Sequence, residues 1–107
     1  MGKKSIRVLE YGGEHMYVVV VYDIGIDENG AKVWKKVFQT CKKYLSHVQN
    51  SVFEGEISES QIFQLRTDLN KLIRKELDSV IIFKSRHERW LDKDILGKNC
   101  NATSSFI

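Results

Sequence analysis

The 107-residue chain contains no proline and only two cysteines. With 42% apolar and 29% charged residues, such a composition belongs to a globular chain rather than a disordered one. Cys41 and Cys100 form no CxxC pair and have no paired Cys/His spacing, which argues against a structural zinc site. Cys41 is expected as a small buried hydrophobe, and reduced thiols fit a cytoplasmic location. There is no glycine-rich phosphate loop, no GxSxG and no HExxH, so the usual nucleotide, serine-hydrolase and zinc-protease signatures are missing. The one long apolar run, Met16 to Tyr22, is far too short to span a membrane. The N-terminus lacks the apolar core and cleavage site of a secretory signal. A net charge of +3 is too mild to demand a nucleic-acid partner by itself.

A chain of this length makes one domain, and small domains leave much of their surface wet, so an oligomer would help. Residues 1–15 are mixed in charge and carry Gly12-Gly13; they are set apart as an N-terminal extension that need not be native. Residues 16–97 are read as the folded domain and 98–107 as a flexible tail. Tyr17 to Tyr22 is valine-rich and apolar on both faces, as in a central strand. A loop over Ile24–Gly30 follows, with Asn29 as a helix cap. In Ala31–Tyr44, Val33, Trp34, Val37, Phe38 and Cys41 form one apolar stripe. Leu45–Ile57 is β-like, but Val48 and Phe53 are out of phase, which demands a turn or bulge around Gln49–Ser51. Ser58-Glu59-Ser60-Gln61 is a capping box. It opens a helix whose apolar face runs from Ile62 through Leu65, Leu69, Leu72 and Ile73 to Leu77. Ser79–Lys84 is another buried strand, and Arg89–Leu96 a further short strand or docking tail.

The order is β-α-β-β-α-β plus a C-terminal segment. This is an α+β, ferredoxin-like arrangement with both helices on one face of an antiparallel sheet and an extra C-terminal strand. The other face has no helix to cover it, yet two strands are apolar on both sides. Stacking two sheets face to face in a dimer resolves the conflict.

Asp23 sits where the valine strand meets solvent. Two readings stay open for it: a loop cap, or a ligand for a hard divalent cation, Mg²⁺ or Mn²⁺. In a dimer, two copies of Asp23 would flank the twofold axis. A metal held there would polarise a phosphodiester and lower the pKa of an attacking water. Lys32, Lys35, Lys36, Lys42 and Lys43 share the other face of the first helix with no acid among them, either as a solvated face or as a sequence-independent phosphate stripe. His47 is a phosphate contact or a structural histidine. Tyr22, Ser51 and Phe53 are expected to shape the site around Asp23.

Val21-Tyr22-Asp23-Ile24 closing the first strand, a basic first helix, and Val48-Gln49-Asn50-Ser51-Val52-Phe53-Glu54-Gly55 together resemble the small CRISPR-associated Cas-two family. Ser79-Val80-Ile81-Ile82-Phe83 and a C-terminal segment ending near Gly97 extend the resemblance over most of the chain. It implies a homodimer whose C-terminal strand crosses to the partner's sheet. It also implies Asp23 as the metal-binding and catalytic residue of a Mg²⁺-dependent endonuclease on single-stranded RNA or double-stranded DNA. The family's other role is as a dimeric DNA-holding adaptor between copies of the Cas-one integrase in spacer acquisition, part of antiviral defense, and a non-catalytic adaptor is the alternative function. The sequence departs from the family pattern in carrying lysines in the first helix and His47 before the Val-Gln pair, where many relatives have arginine. Lysine keeps the charge but loses the bidentate fork.

Overall fold

The computed structural model describes residues 15–86 together with Asp94, Leu96 and Gly97. The N-terminal extension before His15, most of the Arg89–Leu96 segment and the tail from residue 98 lie outside the described residues. The elements run β1 (His15–Asp23), α1 (Gly30–Tyr44), β2 (Ser46–Gln49), β3 (Val52–Ser58), α2 (Glu59–Leu72) and β4 (Ser79–Ser85). The strands form one sheet in the order β2-β3-β1-β4, and every neighbouring pair is antiparallel. The fold is α+β and ferredoxin-like, as expected from the element order.

β1 is central because both its edges are paired, Val20 opposite Phe53 on β3 and opposite Ile82 on β4. Strand side chains alternate between faces, and β1 sorts its residues accordingly. Val18, Val20 and Tyr22 join Phe53 and Ile57 of β3, Val37 and Cys41 of α1, and Ile62, Leu65 and Leu69 of α2 in one buried core. Val19, Val21 and Asp23 therefore point to the opposite, helix-free face. There they meet Val52 and Glu54 of β3 and Ser79, Ile81 and Phe83 of β4 as register partners. Ile81 and Phe83 are 53% and 50% exposed.

The capping box forms as expected: Ser58 Oγ accepts from the Gln61 amide at 3.2 Å, and Gln61 Oε1 accepts from the Ser58 amide at 2.9 Å. The β2–β3 turn also falls where the apolar phase broke. The register shifts between His47 and Gln49, and Asn50 takes a left-handed φ of 43°, a conformation asparagine tolerates better than most residues.

Two expectations are corrected. Asn29 precedes α1 but makes no side-chain capping bond; the turn is closed instead by Asp27, whose carbonyl accepts from the Gly30 amide at 3.1 Å and whose Oδ1 accepts from the Asn29 amide at 3.2 Å. The second helix stops at Leu72, and Leu77 lies beyond it, 52% exposed. The periodicity ran past the true end because Ile73 turns extended and the chain is then bent around the Asp78 carboxylate, which accepts from the Arg74 amide at 2.8 Å.

In the core, Tyr22 stacks on Phe53 and meets Trp34 edge-on, each at a centroid separation of 6.2 Å. Its hydroxyl is buried with no hydrogen-bond partner among the described residues. Burial, with Cys41 nearby, pushes its ionisation above the ordinary phenol value, and burial pushes the Cys41 thiol up to about 12. An unsatisfied buried hydroxyl is destabilising, so Tyr22→Phe is expected to raise stability by about 1 kcal/mol or more. The urea unfolding midpoint measures it.

Candidate functional site

Asp23 is the last residue of β1 and is exposed. Backbone pairing fixes its place in the sheet. On one side it is the register partner of Ser79. On the other, the preceding Tyr22 amide donates to the Ser51 carbonyl at 3.1 Å. Ser51 is in turn tied to α1, its Oγ accepting from Trp34 Nε1 at 3.4 Å. No described residue hydrogen-bonds or pairs with the Asp23 carboxylate, which stands free on the helix-free face.

The expected site residues divide between the two faces of the sheet. Tyr22 and Phe53 are buried on the helix side, so they shape the strand end from beneath and do not share Asp23's face. His47 joins the same aromatic layer, with its ring 4.9 Å from those of Phe38 and Phe53. Its Nε2 lies 2.8 Å from the Asn50 carbonyl, which makes it a staple of the β2–β3 turn. Lys32, Lys35, Lys36, Lys42 and Lys43 are all exposed on α1, on the surface opposite buried Val37, Thr40 and Cys41. Among the described residues none of the five is paired with a carboxylate, and Lys42 Nζ lies 5.8 Å from the Phe38 ring centre.

The structure adds a cluster that periodicity did not reveal. Asp78 immediately precedes β4, and its side chain has no exposed surface. It accepts from Arg74 Nε and Nη2, both at 2.9 Å, and from the Gly25 amide at 2.8 Å. Arg74 also reaches Asp27 Oδ1 at 2.6 Å and the Gly25 carbonyl at 3.2 Å. The Arg74 guanidinium holds the Asp78 carboxyl well below the usual carboxylate range, assisted by the Arg74 and Gly25 amides and against the effect of burial. Asp27 is lowered as well, chiefly by its hydrogen bond from Arg74. The only hint in the sequence was an Arg-x-x-x-Asp spacing just past the periodic stretch, and such a spacing is common on solvated surfaces.

A four-stranded antiparallel sheet with two helices on one face, and an exposed carboxylate at the end of its central strand, defines a small ferredoxin-like α+β protein. The sequence profile described as CRISPR associated protein Cas2 matches residues 16–93. The chain belongs to the CRISPR-associated Cas2 family. A CRISPR-associated endoribonuclease Cas2 of Fusobacterium nucleatum subsp. nucleatum is 53% identical over 105 residues, 98% of this chain and 99% of that protein. One of Moorella thermoacetica is 37% identical over 91 residues, covering 84% of this chain and all of its own length. Among solved structures, a crystal structure of Cas2 superposes with a TM-score of 0.72 at 33% identity, covering 88% of this chain and 100% of that one. That of Streptococcus pyogenes Cas2 at pH 6.5 gives 0.59 at 28% identity, covering 80% and 92%.

Because the folded-state pKa of Asp78 lies below its unfolded value, its contribution to stability is complete above the ordinary carboxylate pKa of about 3.9. That contribution fades as the pH falls from there through the depressed value. Asp78→Ala is accordingly expected to lower the urea midpoint at neutral pH, and its deficit relative to the native protein should shrink on acidification below that point. A pH series of unfolding curves on both proteins checks this.

Proposed function

We propose that this chain is a Mg²⁺- or Mn²⁺-dependent nucleic-acid phosphodiesterase with Asp23 as the metal-binding residue. We further propose that, as a homodimer, it serves as the nucleic-acid-holding adaptor of the Cas-one integrase in spacer acquisition. The observation that carries the reading is the Asp23 carboxylate, unpaired, exposed, and held by backbone pairing at the end of the central strand. The relatives' description as endoribonucleases supports phosphodiester chemistry.

The donor chemistry fits a hard cation: a carboxylate with the Ser79 hydroxyl as its register partner offers oxygen alone, the ligand type of Mg²⁺ and Mn²⁺. Among the described residues no group of three ligating side chains converges, so one chain supplies one carboxylate. A second copy completes the set. Val19, Val21, Val52, Ile81 and Phe83 make the helix-free face apolar, and covering that face with its own twin brings two Asp23 side chains to one interface. The metal, when bound, supplies Lewis-acid polarisation of the phosphate and a more acidic water. The protein's part is to present Asp23 in a fixed place and to hold the polyanion.

The lysines of α1 suit that second task. Five ammonium groups without a compensating acid bind the sugar–phosphate backbone through charge rather than sequence. They lie on the helix side of the sheet, away from the Asp23 face, and this separation favours a second reading, an adaptor whose nucleic-acid binding is independent of Asp23. Among the described residues no helix is long and apolar enough to cross a membrane.

Asp23→Ala is expected to abolish Mg²⁺-stimulated cleavage of single-stranded RNA or duplex DNA while leaving nucleic-acid affinity within about twofold, since only an exposed carboxylate is removed. Cleavage at the native rate in that variant would sink the enzymatic reading and leave the adaptor. Binding should weaken steeply with salt. Replacing Lys35 and Lys36 together by Gln should reduce the slope of log K against log salt by about 2, read by fluorescence anisotropy on unrelated sequences.

A further inference from the structure

We propose that Arg74 is a positioning residue for Asp23, acting through Asp78 and Gly25 as a polar latch on the loop that leaves β1; the proposal rests on Asp23 being the metal ligand.

The argument starts from what holds Asp23 in place. Its carboxylate has no partner among the described residues, so its position is set by its backbone. Upstream, that backbone is fixed by the β-ladder. Downstream, the chain leaves the sheet, and the next fixed point is Gly25, two residues on. Both polar atoms of Gly25 are held by the latch. Its amide donates to Asp78 Oδ1 at 2.8 Å, and its carbonyl accepts from Arg74 Nη2 at 3.2 Å. Asp78 directly precedes Ser79, the register partner of Asp23. The same two segments are therefore pinned twice, at Asp23 with Ser79 and at Gly25 with Asp78.

Apolar burial does little for the loop beyond Ile24. Ile26 is fully exposed and Leu77 half exposed beside the latch. The loop closes by backbone contact instead: a Cβ on Gly25 would lie 2.8 Å from the Leu77 carbonyl, and one on Gly30 would lie 2.4 Å from the Gly25 carbonyl. Arg74 ties this loop to the start of β4, with Nη1 on Asp27 at 2.6 Å and Nε and Nη2 on Asp78. A buried ion pair is a poor way to gain stability over a well-packed apolar pair. What a planar fork with fixed donors supplies is geometry. Ligand-bearing strands need that geometry held to fractions of an ångström, and groups that orient a metal ligand from behind typically change metal affinity by about 10–100-fold when removed.

The test is Mn²⁺ binding to the protein alone, followed by electron paramagnetic resonance, on native protein, Asp23→Asn, Arg74→Lys and Asp27→Asn. Nucleic-acid affinity and circular dichroism at the assay temperature are measured alongside. Arg74→Lys keeps the charge and loses the fork. It should raise the half-saturating Mn²⁺ concentration about tenfold while nucleic-acid affinity, carried by α1, stays at the native value. Asp27→Asn, which loosens only the outer contact, should give a smaller shift in the same direction. It decides the matter if Arg74→Lys does not fold, an unchanged half-saturation then counting against the latch. If Asp23→Asn loses Mn²⁺ binding and Arg74→Lys binds as the native protein does, the positioning role is wrong and the Asp23 reading survives. If Asp23→Asn binds Mn²⁺ normally, the Asp23 reading fails and the latch proposal with it. Parallel loss of Mn²⁺ and nucleic-acid binding in Arg74→Lys would mean a merely structural arginine and overturn the proposal.

Discussion

A strand that is apolar on both faces must be covered on both faces, and the described helices cover β1 on one. Its alternate residues Val18, Val20 and Tyr22 lie under two helices with almost no exposed surface, and this burial is the main source of the domain's cohesion. The remaining alternate residues, Val19, Val21 and Asp23, look out from the other face, which no described helix covers. The period-two geometry of one strand thus decides three things at once. It centres the core, it leaves Val19 and Val21 on the other face beside Ile81 and Phe83, and it puts a carboxylate on that same face.

The helix side is held together by two different kinds of contact. Around β2 and the start of β3, rings do the packing: Tyr22, Trp34, Phe38, His47 and Phe53 touch one another in a chain. Where β1 ends and β4 begins, charge takes over, with Arg74, Asp78 and Asp27 drawing the β1–α1 loop and the α2–β4 connection together. The aromatic layer tolerates small shifts because dispersion is non-directional. The charged latch does not, because a guanidinium fork and a carboxylate meet well in few geometries. Both kinds of contact meet near Asp23: Tyr22 of the aromatic layer immediately precedes it, and the charged latch holds Gly25 two residues beyond it.

The two candidate functional surfaces are separated by the thickness of the domain. Lysines on the outside of α1 face solvent beyond the helix layer, and Asp23 faces the open side of the sheet. The sheet thus keeps its lysine face and its exposed carboxylate on opposite sides.

Much of this was legible in the residues. The continuous valine run, apolar on both faces, gave the central strand, the phase break between Val48 and Phe53 gave the β2–β3 turn, and Ser58 with Gln61 gave the start of α2, because each depends on neighbours close in sequence. The Val21-Tyr22-Asp23-Ile24 and Val48 to Gly55 segments carried the family. The end of α2 was not legible: Ile73 and Leu77 continue the helical period, yet the chain there is turned by Asp78. Nor was the division of Tyr22 from Asp23, adjacent residues that the sheet assigns to opposite faces, or the use of His47 as a turn staple. By itself the sequence determined the order and type of the elements and which carboxylate ends the central strand, since local periodicity and capping encode these. Only the tertiary structure decided that Arg74 and Asp78 close on Gly25, with Asp27 joining from 47 positions away, because such contacts exist only once the sheet has brought the end of β1 and the start of β4 side by side.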